Sequence, residues 1–539
     1  MSIKLKLVNI IEKSLENLYI KTNKQIIIEI PKEQKNGDYS TNIALLLAKE
    51  LKDSPINIAN IIKEKIDDKI IKKVEVVPPG FINIFINEEC LVNNINRILE
   101  EKKNYGKNNT GNSKKINIEY VSANPTGLLH IGHCRGATYG DNLSRIFKFN
   151  GYDVTREYYV NDAGNQMNNL AISIKERYKE LCGKECNLPE DGYHGEEIIH
   201  LAKRIYDLYK EKKLDEELNF FKEEGLNYLL DQIKKDLDRY RVNFDVFTSE
   251  QSLYDNGKID KTLEKLKKSN KCFIDENALW LKTTDYGDDK DRVLIKNDGN
   301  YTYFLPDIAY HKDKYERGYD ELIDVLGSDH HGYIKRLKAA IEILGENSKK
   351  LDIKILQMVR LIKDNEEIKL SKRTGKTLTL NELIDEVGIN ATRYFFSSKS
   401  LDTQMDFDIT LATKENNENP IYYIEYANAR ITSIINKYHH KEEKIEKYRT
   451  LNTQETYIIL KKLYEFEDIV ISAAQKRTPH IIANYAYELA TLFHSYYAKE
   501  QIITEDNDST KEKINLIRAI KIVLNNALDL IGIIPREQM

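Results

Sequence analysis

Ile116-Asn-Ile-Glu119-Tyr-Val-Ser122-Ala-Asn124-Pro-Thr-Gly127-Leu-Leu-His130-Ile-Gly132-His133 is the stretch on which the reading of the fold turns. Ile116, Ile118 and Tyr120 alternate with polar residues, the period of a half-buried strand. Ser122 to Gly127 is a turn, and Gly132 to Phe149 carries helical spacing that stops at Asn150-Gly151. Val154 to Val160 follows at once as a second strand. Strand, helix and strand make one βαβ unit, whose crossover is right-handed in nearly all known cases. The expected class is α/β, with ligands at the carboxyl ends of a parallel sheet.

Working outward, residues 165 to 270 read as a mostly charged helical insertion. Strands around Leu279–Leu281, Arg292–Ile295 and Leu322–Leu326 are expected to resume the sheet. Upstream, Leu7, Ile10, Ile11, Leu15 and Leu18 share one helical face, and a second helix spans Asn42 to Leu51. With strands at Gln25–Ile30 and Val74–Val77 these form a small α+β module, followed by a polar linker at Lys102–Lys115. From Asn381 helical spacing dominates, with few breakers before Gly532. The expected division is therefore 1–95, 96–385 and 386–539.

At 539 residues the chain is too long for one core. With 41% hydrophobic and 31% charged residues it reads as globular, and no apolar run approaches the roughly 18 residues of a membrane span. The N-terminal twenty residues carry Lys and Glu throughout, unlike a secretion signal, so a cytoplasmic location is expected. A net charge of -4 excludes coating of nucleic acid by bulk charge, so any RNA surface must be local. Of five cysteines only Cys182 and Cys186 are close, and no second pair lies at ligand spacing. No structural zinc and no other metal site is expected.

His130 and His133 stand where a helix begins, where backbone N–H groups and the helix dipole favour phosphate. Two imidazoles there can donate to phosphoryl oxygens, and Gly132 lets a base or ribose lie against the backbone. Two surface histidines at a helix cap would leave the same trace. Lys369-Leu-Ser371-Lys372-Arg373-Thr-Gly-Lys376 is a basic loop whose ammonium groups could follow a phosphate chain as pyrophosphate leaves, or simply a solvated turn. Together, in this order, they resemble the HIGH and KMSKS motifs of class I aminoacyl-tRNA synthetases, with Leu370 for Met and Arg373 for the final Ser. That resemblance implies a class I Rossmann-type catalytic domain, with a small α+β domain before it and an all-helical anticodon-binding domain after it.

The resemblance narrows to the arginyl-tRNA synthetase family. Ser122–Gly127, Gly287–Val293, Tyr301–His311, Gly327–Tyr333, Asn419–Tyr423 and Glu425–Arg430 are similar to that family's blocks, in the same order. A guanidinium keeps its charge at physiological pH and asks for carboxylates. By resemblance Glu119 and Asp307 supply them, Ser122 and Asn124 hold the substrate's other end, and Tyr303 packs along its stem. On residue type alone, Glu119 could be a solvated strand-face carboxylate and Asp307 a helix N-cap. Gly132, Asp329, His330 and Ser371 are expected to hold ATP, though Asp329 and His330 could be ordinary turn residues. His130, His133, Lys369 and Lys372 would stabilise the transferring phosphate.

The family's partners are ATP as its Mg2+ complex, L-arginine and tRNA(Arg), with tRNA bound before arginine is activated. Residues 1–95 would contact the tRNA elbow, where Tyr39 and Phe81 could stack on bases or be packing residues. Tyr422, Tyr426 and Arg430 offer stacking and phosphate pairing on an anticodon-domain helix. With Tyr423 they form a stripe of which about half should be buried. A monomer is expected. Rival readings are a small adenylyltransferase, another class I synthetase, and a non-catalytic RNA-binding relative. The lysine loop disfavours the first, the acidic pair the second, and the intact histidines with Lys372 the third.

Overall fold

Ser2 accepts a hydrogen bond from the Leu5 amide and so starts α1 (Ile3–Asn17), which buries Leu7, Ile11 and Leu15. The computed structural model describes residues 2–328, 332–368, 378–438 and 443–539. β1 (Tyr39–Thr41), α2 (Ile43–Leu51), α3 (Pro55–Lys65), β2 (Ile71–Val77), β3 (Phe81–Ile86) and α4 (Glu88–Glu101) complete the N-terminal module. Its sheet is antiparallel in the order β1-β3-β2. The strand expected at Gln25–Ile30 does not form: its only ladder contact is a bridge between Glu29 and Ser40. β1 is three residues long and offers too short an edge for more.

Downstream come β4 (Lys115–Glu119), α5 (Ile131–Phe149), β5 (Asp153–Val160), α6 (Asn165–Leu181), α7 (Glu196–Tyr209), α8 (Leu218–Arg239) and β6 (Val246–Ser249). Next are α9 (Glu250–Asp255), α10 (Lys258–Lys268), β7 (Cys272–Asp275), β8 (Ala278–Leu281), β9 (Arg292–Ile295) and α11 (Phe304–Glu316). β10 (Glu321–Gly327), α12 (Tyr333–Ile343) and β11 (Leu351–Leu356) follow. The parallel sheet runs β11-β10-β4-β5-β6, with β4 at its centre. α5 lies close on β4 because residue 140 is glycine: a Cβ there would meet the Tyr120 ring at 2.1 Å.

Three expectations change here. The helical insertion read as about 165–270 is interrupted, because Val246–Ser249, between α8 and α9, returns to the sheet as edge strand β6. Strands β8 and β9 do not resume the parallel sheet; with β7 they form a separate antiparallel one. The stretch expected as a linker is packed: Tyr105 is buried and donates to the Leu463 carbonyl, while Asn108, Gly111 and Ser113 bond to residues 149–151. Four-residue strands and polar packed loops carry too little periodicity to be told apart by pattern.

β12 (Val359–Lys363) and β13 (Glu366–Glu367) form a hairpin whose turn residues Asp364 and Asn365 both have positive φ, as a two-residue turn requires. α13 (Leu380–Val387), α14 (Ile389–Ser397), β14 (Met405–Asp408) and α15 (Ile409–Thr413) come next. β14 pairs in parallel with β12, so the region from 386 is not wholly helical. α16 (Pro420–Tyr438), α17 (Gln454–Lys476), α18 (His480–Lys499) and α19 (Asn507–Leu530) form the helical domain.

One hydrophobic cluster runs from Ile3 through β4 and α5 to Ile533. Buried Arg393 ties these layers together, donating to Ile531 O at 2.9 Å, Tyr240 O at 3.0 Å, Asp141 Oδ2 at 2.5 Å and Asn142 Oδ1 at 2.9 Å. Replacing it with Met leaves Asp141 and two carbonyls buried without that donor. We expect Arg393→Met to cost about 3–5 kcal/mol, read as a lower urea midpoint by circular dichroism.

Candidate active site

The carboxyl end of β4 leads into a tight reversal, with Val121 at φ 68° and Ser122 at φ 39°. Positive φ at a β-branched valine is strained, a cost that persists where the surroundings over-determine the backbone. Here the reversal lets Ser122 Oγ donate to Glu119 Oε1 at 3.0 Å while accepting from the Tyr159 amide at 3.1 Å. Asn124 is exposed, and its Nδ2 donates to Gln166 Oε1 at 2.8 Å.

The turn ends at His130, the N-cap of α5. His130 Nδ1 accepts from the Gly132 amide at 3.1 Å, and His133 Nδ1 accepts from the His130 amide at 3.2 Å. An accepting Nδ1 carries no proton, so in each neutral ring the proton sits on Nε2. The rings lie 3.9 Å apart at the positive end of a 19-residue helix. Gly132 is exposed between them, and a Cβ there would press on His130 Cε1 at 2.8 Å.

The second basic element is joined to this turn by main chain. Ile131 N donates to Leu378 O at 3.2 Å, Leu380 N donates to Leu129 O at 2.8 Å, and His130 bridges Thr379. Residue 378 follows the lysine-rich run 369–376 in the sequence. Lys369, Ser371 and Lys372, like Asp329 and His330, lie outside the described residues.

Behind the turn is a buried charged cluster. In register across three adjacent strands stand Asp324, Glu119 and Glu157. Lys314, with no exposed side chain, reaches from α11 to Glu119 Oε2 at 2.5 Å and Asp324 Oδ1 at 2.8 Å. His311 bonds Asp324 Oδ2 through Nε2 at 2.7 Å and the Asp307 carbonyl through Nδ1 at 2.8 Å, with Asp307 Oδ1 3.1 Å from Nδ1 as an ion-pair contact. Burial alone would lower the His311 pKa, but Asp307 and Asp324 outweigh it and push it up to about 10. The ring is therefore a double donor at neutral pH. Burial likewise works to raise Asp324, yet Lys314 and His311 hold it well below the usual carboxylate range. Burial pushes Glu119 upward, with Lys314 opposing.

Glu119 is thus buried rather than a solvated strand-face carboxylate. Asp307 does not cap its helix; it lies inside α11, one turn before His311, with its side chain 27% exposed. Tyr303, the N-cap residue, is 72% exposed. Residue type alone does not single out His311, Lys314 and Asp324. The spacing 307, 311 and 314 on one helix face was the available signal.

Of the residues considered for RNA, Tyr39 is 1% exposed and belongs to the core, which corrects its reading as a stacking residue. Phe81 is 37% exposed. Tyr422, Tyr423, Tyr426 and Arg430 are all partly exposed, where half were expected to be buried. Tyr422 and Tyr426 stack at 5° between planes, Tyr423 meets His494 at 4.2 Å, and the Arg430 guanidinium sits over Tyr426 and Tyr497. Among the described residues no helix is long and apolar enough to cross a membrane, and no cluster of three His, Cys, Asp or Glu could hold a metal ion.

The parallel sheet, with a histidine turn at the end of its central strand bonded by main chain to residues 378–380, defines the fold of class I aminoacyl-tRNA synthetases. The fold is theirs: methionyl-tRNA synthetase of Mycobacterium tuberculosis in complex with methionyl-adenylate superposes with a TM-score of 0.58 at 10% identity, over 77% of this chain and 92% of that one. Residues 94–435 match the family described as tRNA synthetases class I (R), catalytic domain. Residues 424–539 match the DALR anticodon binding domain, and residues 5–86 the arginyl tRNA synthetase N terminal domain. Arginine–tRNA ligase 1 of Halalkalibacterium halodurans is 48% identical over 96% of this chain and 94% of its own length. Arginine–tRNA ligase of Bacillus subtilis is 48% identical over 95% and 94%. Arginyl-tRNA synthetase of Thermus thermophilus shares the fold over the full length of both chains, with a TM-score of 0.80 at 21% identity. This chain belongs to the arginyl-tRNA synthetase family.

Proposed function

We propose that this chain ligates arginine to tRNA(Arg) in two steps at the site described above. In the first, the carboxylate of arginine attacks the α-phosphorus of ATP in line, forming the mixed anhydride arginyl-adenylate and expelling pyrophosphate. In the second, the 2′-hydroxyl of the terminal adenosine of tRNA attacks the anhydride carbonyl, releasing AMP. Neither step needs a protein nucleophile; catalysis is positioning and charge stabilisation.

His130 and His133 donate through Nε2 to the phosphoryl oxygens, and Lys369 and Lys372 follow the charge that builds on pyrophosphate. Gly132, Ser371, Asp329 and His330 hold the nucleotide, which enters as its Mg2+ complex. Glu119 and Asp307 accept the guanidinium, Tyr303 covers the methylene stem, and Ser122 and Asn124 orient the end that reacts. Phe81 faces the tRNA elbow from the 1–95 domain. Residues 96–385 carry the chemistry, and Tyr422, Tyr426 and Arg430 face the anticodon from the C-terminal domain. The chain acts as a cytoplasmic monomer.

What carries this reading is the main-chain pairing of residues 129–131 with 378–380, which joins the exit of the lysine loop to the histidine turn. The test is aminoacylation of total tRNA with each of the twenty amino acids, for the native chain, His133→Ala and Lys372→Ala. Arginine alone should be charged, and each variant should lose on the order of a hundredfold in rate. Charging of another amino acid, or full activity in both variants, would refute it.

A further inference from the structure

Glu119, Asp324 and Glu157 stand side by side on one face of three adjacent strands, an arrangement that like charges resist. Helix α11 lies across them and supplies the counter-charges. Glu157 is saturated by Arg317 at 2.9 Å, Thr248 at 2.5 Å and Asn117 at 2.6 Å. Asp324 is saturated by Lys314 at 2.8 Å and His311 at 2.7 Å. The central Glu119 receives Lys314 and Ser122, one bond fewer than Glu157.

A continuous chain therefore links Glu119 to Lys314, Asp324, His311 and finally Asp307. Its two ends are the carboxylates assigned above to the guanidinium, and its middle three members are buried. Three carboxylates against two cations leave one negative charge uncompensated in the linked set.

We propose that Lys314 and His311 are positioning residues of the arginine pocket, which through their shared partner Asp324 hold Glu119 and Asp307 at the spacing of one guanidinium. The inference rests on the reading of Glu119 and Asp307 as substrate ligands. A planar fork is recognised only by acceptors fixed in spacing and orientation, and two carboxylates on separate elements, β4 and α11, have no such fixity by themselves. Lys314 reaches both Glu119 and its strand neighbour Asp324, so it ties the acceptor on the sheet to the helix. His311 ties residue 307 to Asp324: Nε2 bonds Asp324 Oδ2, while Nδ1 bonds the Asp307 carbonyl and lies 3.1 Å from Asp307 Oδ1 as an ion pair. The single remaining negative charge selects a cation over a neutral isostere such as citrulline, which would leave it buried and unpaired.

The test uses the full chain with Lys314→Met and His311→Gln, assayed by steady-state aminoacylation with arginine and ATP varied separately. Both variants should raise the KM for arginine on the order of tenfold to a hundredfold and leave the KM for ATP unchanged. Circular dichroism fixes which variants are folded at the assay temperature. If Lys314→Met does not fold, His311→Gln decides alone, because it retains a side-chain amide within reach of Asp324. A native arginine KM in a folded variant, or an equal rise in the KM for ATP, overturns the proposal. Glu119→Gln and Asp307→Asn separate the two readings: if they leave the arginine KM untouched, the pocket assignment itself fails, and this inference with it.

Discussion

Asp307→Asn is expected to raise the KM for arginine by about a hundredfold, with little change in the KM for ATP. The substitution keeps the shape of the side chain and removes its charge from the guanidinium contact and from the ion pair with His311, whose Nδ1 keeps its bond to the Asp307 carbonyl. Loss of one member of a hydrogen-bonded charge pair at a desolvated site costs about 2–5 kcal/mol, and each 1.4 kcal/mol is about tenfold. The Asp307 side chain is 27% exposed, so solvent screening places the effect toward the lower end of that range. Glu119→Gln acts at a more buried position but also weakens Lys314's anchorage, so its effect mixes substrate binding with pocket geometry. Asp307→Asn is the cleaner measurement. A full arginine titration at saturating ATP and tRNA reads it, and an unchanged KM would remove Asp307 from the pocket.

The two substitutions also show where residue patterns stop being informative. Asp307 and Glu119 stand out by family likeness, and β4, α5 and β5 stand out by period alone, because each is long and alternates or spirals cleanly. Val246–Ser249 does not: four residues give two periods, too few to separate the edge of the sheet from the helices around it. Asp324, Glu119 and Glu157 lie far apart in the chain and become neighbours only through parallel register, which a sequence period does not report. Lys314 and His311 are inconspicuous in the sequence for a different reason. A lysine and a histidine on a helix usually face water, and only the sheet beneath α11 makes these two buried.

The histidine turn allows an experiment that separates scaffold from chemistry within one side chain. His133 accepts the His130 amide through Nδ1, which closes the cap of α5, and presents its proton on Nε2. Asn places an acceptor near the position of Nδ1 and nothing at Nε2, so His133→Asn keeps the cap and deletes the phosphate donor. Gln extends an amide donor to about the reach of Nε2. If the donor is what matters, His133→Asn retains native thermal stability but loses on the order of 10²–10³ in kcat for arginine-dependent ATP–pyrophosphate exchange, the usual cost of one transition-state donor. His133→Gln should recover part of that rate. The KM for arginine should stay near native in both, because Glu119 and Asp307 lie on other elements and are held by Lys314 and His311. An Asn variant that is fully active would reduce His133 to a helix cap, and the phosphate-binding role would fall to His130 and the lysine loop.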